Sequence, residues 1–192
     1  MTSIIPYEPQ YHDAVVALCL EALGCLSAGE ETQQFTRLLK CDYYLEHDPQ
    51  HCYVAVDGAN GPVGCLLCAS DFDECERVFN EAYLPKAAAL SVKRYVDAKL
   101  GLLPYAMFRS LCRAHCAVYV QSAWSGQGIG GALLDALLQQ LREEGADGVV
   151  TLTEPDRSDE IAFLEEKGFR SVLTTKFGHA MTCSFGEQNK II

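Results

Sequence analysis

Residues 115–131 read HCAVYVQSAWSGQGIGG, and their types and spacing suit the holding of a phosphate. Glycines at 126, 128, 130 and 131 remove the Cβ atoms that would keep a ligand away from the backbone. A helix is predicted to start at once, at Ile129. The amides at its start have no intrahelical partner and point outward together, in a field that favours anions. The segment is a phosphate cradle by construction, and the question it poses is which phosphate.

The elements around it follow from periodicity. His115–Val120 alternates like a strand, and 129–144 repeats Leu133, Leu137 and Leu141 on one face, widened by Leu134 and Leu138 and closed at Gly145. Upstream, 3–6 reads as a strand, 11–22 and 30–45 as helices, and 51–56 and 62–68 as a hairpin around DGANG. Residues 71–112 break that rhythm. The spacing of Phe72, Cys75 and Phe79 predicts a helix over 71–84 that Pro85 ends, with a second over 87–100 punctuated by Gly101 and Pro104. This is a helical insertion bounded by strands, placed to cover a substrate site or to make a homodimer contact. Downstream, 148–153 reads as a strand, a helix capped by Asp156 or Ser158 runs to Lys167 and stops at Gly168, and strands near 170–175 and 179–185 follow.

Composition narrows the classes. A length of 192 residues suits one domain, 1–192, with a full core. No apolar run approaches the roughly 20 residues of a membrane helix, and the first residues lack a signal-peptide pattern, so a cytoplasmic protein without a membrane partner is expected. A net charge of −11 argues against a nucleic-acid partner and is compatible with an amine-bearing one. Ten cysteines without a secretory signal read as reduced thiols. Cys65 and Cys68 lie three apart in a predicted strand, facing opposite sides, and the Cys112–Cys116 segment has no matching cluster elsewhere. No metal site is expected.

Two readings of the cradle compete. Gly126, Gly128 and Gly131 satisfy GxGxxG, with Glu154 at a strand end roughly twenty residues on, the spacing of a dinucleotide fingerprint. In that fold the strand runs almost directly into the first glycine, whereas here Gln121–Ser125 intervene and an antiparallel hairpin precedes the motif. The other reading uses every element in order. Ser125-Gly126-Gln127-Gly128-Ile129-Gly130, after Val118-Tyr119-Val120, together with a helix ending in Gly168-Phe169, resembles the GNAT superfamily of acyl-CoA-dependent N-acyltransferases. The resemblance is closest over 115–185. Residues 42–84 are more loosely similar to the acetyltransferase-like domains related to the C-terminal part of O-GlcNAcase.

The resemblance implies an α/β (α+β) fold: a mixed, mostly antiparallel central sheet flanked by helices, with the helical insertion between the third and fourth strands. It implies acetyl-CoA as acyl donor and a primary amine of a small molecule or peptide as acceptor, attacking directly. Ser125, Gly126, Gln127, Gly128, Ile129, Gly130 and Gly131 would hold the CoA pyrophosphate. Backbone groups of Val118 and Val120 would pair with the pantetheine arm, and the Val120 amide or its neighbour Tyr119 would polarise the thioester carbonyl. Direct attack needs a neutral amine, and Glu154, where the family's fourth and fifth strands part, is the candidate base. His115 is a second candidate, one residue out of register, and Tyr119 a candidate acid. Asp156 or Ser158 approximates a cofactor-contacting position.

Two departures matter. Ser125 stands where the family has Arg or Gln, which removes a long donor from the phosphate site. Leu164 stands where many members have a tyrosine that protonates the departing thiolate. They keep open a second class, a regulatory module that binds acyl-CoA without catalysis.

Overall fold

A computed structural model describes residues 2–154, 156–175 and 178–186. The last residues of the expected domain, 187–192, lie outside the described ones. Seven strands form one sheet: β1 (Thr2–Pro6), β2 (Tyr53–Asp57), β3 (Gly61–Ala69), β4 (Ala114–Val120), β5 (Gly148–Thr153), β6 (Arg170–Thr175) and β7 (Gly178–Ser184). Their order is β1-β2-β3-β4-β5-β7-β6, and β4–β5 is the parallel pair while the other neighbours are antiparallel. This is the mixed, mostly antiparallel sheet the sequence implies. It is not the doubly wound parallel sheet of a dinucleotide fold, which disposes of the GxGxxG reading.

Helices cover both faces. On one lies α7 (Ile129–Glu143), whose Leu133, Leu134, Leu137, Leu138 and Leu141 are buried together with Leu164 of α8 (Ser158–Glu166) and Phe169. Burying five leucines contributes on the order of 10 kcal/mol before conformational entropy is charged against it. Gly64 of β3 lets α7 sit close, because a Cβ there would meet Ile129 Cγ2 and the Tyr119 carbonyl, each at 3.2 Å.

The other face carries α1 (His12–Ala22) and a helical run over residues 30–47: α2 (Glu30–Arg37), a π-helical turn Leu38–Asp42, and α3 (Tyr43–His47). Cys65 packs on this face and Cys68 on the α7 face, as their spacing in a strand requires.

The insertion between β3 and β4 is helical: α4 (Phe72–Val78), a π-helical turn Phe79–Tyr83, α5 (Leu84–Leu90) and α6 (Val92–Ala106). Its break differs from the expected one. Pro85 sits in the first turn of α5, where a missing N–H costs nothing. The chain turns instead at extended Ser91, whose hydroxyl accepts from the Arg94 amide at 3.2 Å and caps α6. Helix α6 then runs through Gly101 and Pro104, because Phe72, Tyr105 and Phe108 pack against Val150 and Ala180 of the sheet. Downstream, α8 starts without a side-chain cap, so neither Asp156 nor Ser158 caps it.

Candidate active site

The centre of the site is a parting of strands. β4 and β5 pair only at Ala114–Val149, His115–Val150 and Cys116–Thr151, while β4 stays paired with β3 out to Val120. Burial follows the pairing. Residues 114–116 are buried and 117–120 are only half-buried, although β4 is the central strand of a sheet covered on both faces. A slot therefore opens beside the second half of β4.

The direction of the backbone groups follows from one hydrogen bond. The Gln121 amide donates to the Val63 carbonyl at 3.0 Å, toward β3. By strand alternation, Val118 and Val120 direct their N–H and C=O groups to the opposite edge, into the slot, and Tyr119 directs its own toward β3. On the slot's far side, Thr153 of β5 is buried and its Oγ1 has no partner among the described residues.

The glycine segment closes one end of the slot. Residues 122–124 make a short 3-10 turn, Ser125 to Gln127 are exposed, and Gly128 caps α7 with φ +78°. That left-handed conformation is what glycine supplies at low cost. A Cβ at Gly126 or Gly128 would meet nothing within 4 Å, so the approach is open. The Ala132 amide is bonded back to the Gly128 carbonyl at 3.0 Å, and the amides before it have no intrahelical acceptor. A split sheet edge with free amides at its mouth fits an elongated ligand that ends in phosphates.

Comparison with known proteins agrees. Residues 16–169 match the acetyltransferase (GNAT) family. The chain belongs to that family. Among curated proteins none matches by sequence. Solved structures show the same fold. SsHAT is 20% identical with a TM-score of 0.83, over 97% of this chain and 99% of that one. The ribosomal-protein-S18-alanine N-acetyltransferase of Escherichia coli is 14% identical with a TM-score of 0.56, over the whole of both chains. The PaiA N-acetyltransferase of Thermoplasma acidophilum, in complex with coenzyme A, is 11% identical with a TM-score of 0.59, over 96% and 99%.

Within this GNAT domain the other named residues take definite places. Glu154 directly follows β5 and is exposed, its carbonyl accepting from the Arg157 amide at 3.1 Å. Asp156 and Ser158 are exposed nearby. The Gln127 side chain donates to the Ala123 carbonyl at 3.3 Å, bracing the turn. Leu164 is buried in the core with Phe169.

His115 and Tyr119 lie four apart on the β4 face turned away from α7. Tyr119 is half-buried, and burial pushes its phenol well above the ordinary value, so it remains protonated at physiological pH. His115 is 1% exposed. Burial, reinforced by the nearby Lys40 charge, pushes its imidazole down to about 3, so the ring is neutral in the physiological range. Its Nε2 shares a hydrogen bond with the Tyr44 hydroxyl at 3.1 Å, and its Nδ1 is buried without a partner among the described residues. Tyr105 of α6 lies over the ring at 4.3 Å between centroids, and Phe72 of α4 meets it edge-on. The insertion thus seals the His115 side.

Sequence reasoning missed four of these residues. Thr153 looked like any strand threonine, and Tyr105 sat beside a proline read as a break. Tyr44 and Lys40 belonged to a helix valued only for its apolar face. The one available signal was Lys40 itself, a lysine set between Leu38-Leu39 and Cys41 in a run whose neighbours are buried. Among the described residues no three His, Cys, Asp or Glu side chains form a group that could hold a metal.

Proposed function

We propose that this GNAT domain transfers an acetyl group from acetyl-CoA to a primary amine of a small molecule or peptide. The observation that carries the reading is the slot edge of β4, where the β4–β5 pairing ends at Cys116–Thr151 and the backbone groups of Val118 and Val120 have no strand partner among the described residues, beside the amides of 126–131. The chain's residues fit the cosubstrate. The amides would hold the pyrophosphate, and the Val118 and Val120 edge would pair with the pantetheine arm as a further strand. The Thr153 hydroxyl offers that arm one more hydrogen bond. Bound there, acetyl-CoA supplies an activated acyl thioester.

The Val120 amide, aimed into the slot, is placed to stabilise negative charge on the carbonyl oxygen. Glu154, at the open end of β5, is the group we assign to take the proton of the attacking ammonium, directly or through water. The Tyr119 phenol, protonated and facing the acceptor side, can donate a hydrogen bond. His115 lies behind Tyr44, Tyr105 and Phe72 and is assigned no proton transfer.

The deciding experiment pairs binding with turnover. Acetyl-CoA should raise the melting temperature where NAD does not, and thiol release should follow with some members of an amine panel. Stabilisation by NAD alone would refute the reading. Stabilisation by CoA with silence across a broad panel would favour the non-catalytic module that Ser125 and Leu164 suggest.

A further inference from the structure

Helix α6 carries an apolar face that nothing among the described residues covers. Its inner side, with Ala98, Pro104 and Tyr105, is buried against the rest of the domain. The other side exposes Val92, Val96, Leu103 and Met107, each by 46% to 80%. At 3.6 residues per turn these four fall within roughly 60° of arc and form one stripe along the helix. Met107 belongs to it because its backbone, at φ −67° and ψ −24°, is still helical. Tyr95 beside the stripe and Leu111 beyond its end are exposed as well.

Area, charge and spacing point to one occupant, a second copy of the chain. These six side chains together leave on the order of 500 Å² of apolar surface in one place, the upper range for a monomer. A standard interface takes about 800 Å² from each partner, just over half of it apolar, so the stripe supplies what one side of a stable dimer needs. Residues 91–111 hold one acid, Asp97, against Lys93, Arg94, Lys99 and Arg109, in a chain of net charge −11. Two copies that repel elsewhere therefore meet here with few carboxylates between them. Three of the cations are tied to their own chain: Lys99 donates to Asn80 Oδ1 at 2.7 Å, Arg94 Nε lies 3.2 Å from Glu31 Oε1, and Arg109 Nη1 lies 3.6 Å from Glu76 Oε2. The steps from Val92 to Val96, Leu103 and Met107 are four, seven and four residues, the same in either direction. Antiparallel copies about a two-fold axis near residues 99–100 thus match along the whole stripe at once. Val92 meets Met107 of the second copy and Val96 meets its Leu103, a small side chain against a large one each time.

We propose that α6 is a dimer interface, pairing antiparallel with α6 of a second copy about a two-fold axis. The inference goes beyond the acetyltransferase reading and does not rest on it, since the stripe is the side of α6 turned away from the sheet. An interaxial distance of about 8–10 Å suits side chains of this size. The driving force is apolar burial and the opposing force is repulsion between two acidic chains. Added salt screens that repulsion, to about 10 Å at 0.1 M, and so tightens the dimer. A contact held by opposite charges would loosen instead.

The test is the mass of the full chain in solution, by light scattering and sedimentation over a concentration series at low and high salt. Wild type should be a dimer at micromolar concentration, more tightly held at high salt. Leu103→Glu places a carboxylate on both sides of the contact and should weaken association about a hundredfold or more, with the circular dichroism of a folded chain retained. Val92→Glu, at the most exposed position, repeats the measurement should Leu103→Glu unfold. Val172→Glu, at an exposed valine of β6, should leave the dimer intact. Cysteine variants read the register, since the native cysteines are buried apart from half-buried Cys25. A mixture of Val96→Cys and Leu103→Cys should cross-link on oxidation. Val96→Cys alone should not, its two copies standing about 10 Å apart along the axis. A monomer at every concentration, a dimer that the stripe variants leave intact, or one that salt loosens overturns the proposal. Cross-linking of Val96→Cys with itself in preference to the mixture overturns the antiparallel arrangement.

Discussion

Thr151 and Thr153 lie on the same side of β5, two residues apart, yet only the first is satisfied. The Thr151 hydroxyl donates to the Cys116 carbonyl of β4 at 3.0 Å, whereas the Thr153 hydroxyl is buried with no partner among the described residues. The difference is the parting of the strands. Had the pairing continued, Thr153 would meet Val118 as Thr151 meets Cys116.

A buried hydroxyl without a partner costs on the order of 1–3 kcal/mol, so Thr153→Val should leave the ligand-free protein as stable or more stable. CoA affinity should fall by about fivefold, the worth of one neutral hydrogen bond. Thermal melts with and without CoA, plus calorimetric titration, measure both. A variant that loses stability and binds CoA normally would show that the hydroxyl serves the fold and not the ligand.

Gly128 offers a sharper perturbation. At φ +78° a side chain is strained whatever the space, and no atom stands within 4 Å of an added Cβ. Gly128→Ala should therefore cost about 1–2 kcal/mol of stability through backbone strain alone. Gly128→Glu adds a carboxylate at the phosphate end of the slot and should abolish CoA binding while the protein still folds. Normal CoA affinity in the folded Glu variant would remove the cradle assignment.

How far the sequence carried the site depended on whether the deciding interaction was local. The glycine turn at the head of α7 was legible because glycine spacing and the leucine face of that helix are local patterns. The position of the insertion was legible for the same reason, but its internal break was not. Pro85 is harmless in a first turn, and Ser91 became the break because its hydroxyl caps α6. Tyr105 reaches His115 only because α6 continues past Gly101, which tertiary packing decides. Thr153 stands out for a bond its hydroxyl does not make among the described residues, and an unmade bond has no signature in one dimension.

His115 tests whether its burial matters to the reaction. Its folded value, about 3, lies below that of the unfolded chain. Its neutral form thus contributes stability that is present above the ordinary histidine range and is lost as pH falls. The ring therefore cannot supply an acidic limb to activity near neutral pH. His115→Phe should lower kcat/KM by less than about tenfold, and the limbs of the pH profile should stay in place. A fall of about a hundredfold or more, the usual worth of a general base, together with loss of the acidic limb would make His115 the base.

Away from the slot, His51 joins three elements and should make stability depend on pH. Its Nδ1 contacts Asp48 Oδ1, its Nε2 lies 2.9 Å from Glu144 Oε2 at the end of α7, and Asp48 Oδ2 accepts from the Ser70 amide and hydroxyl at 2.7 and 2.8 Å. Its hydrogen bond to Asp48 raises the imidazole above its ordinary value, and Glu144 adds to this against the opposing effect of burial. Burial alone would raise Asp48, but the hydrogen bonds from His51 and Ser70 outweigh it and hold the carboxyl low. Glu144 is likewise held low, burial being outweighed by Gln140 and His51. A raised histidine contributes stability that is complete below its unfolded value and is lost as pH rises through its folded value. A lowered carboxylate contributes stability above its unfolded value that is lost as pH falls through its folded value. The cluster is therefore strongest between the ordinary carboxylate and histidine ranges, about pH 5–6. His51→Gln should cost about 1–3 kcal/mol in that window, the lower end reflecting the half-exposed Glu144. Chemical denaturation at a series of pH values should show the gap between wild type and variant narrowing toward alkaline pH. A gap that stays constant across the series would mean that His51 acts by packing alone.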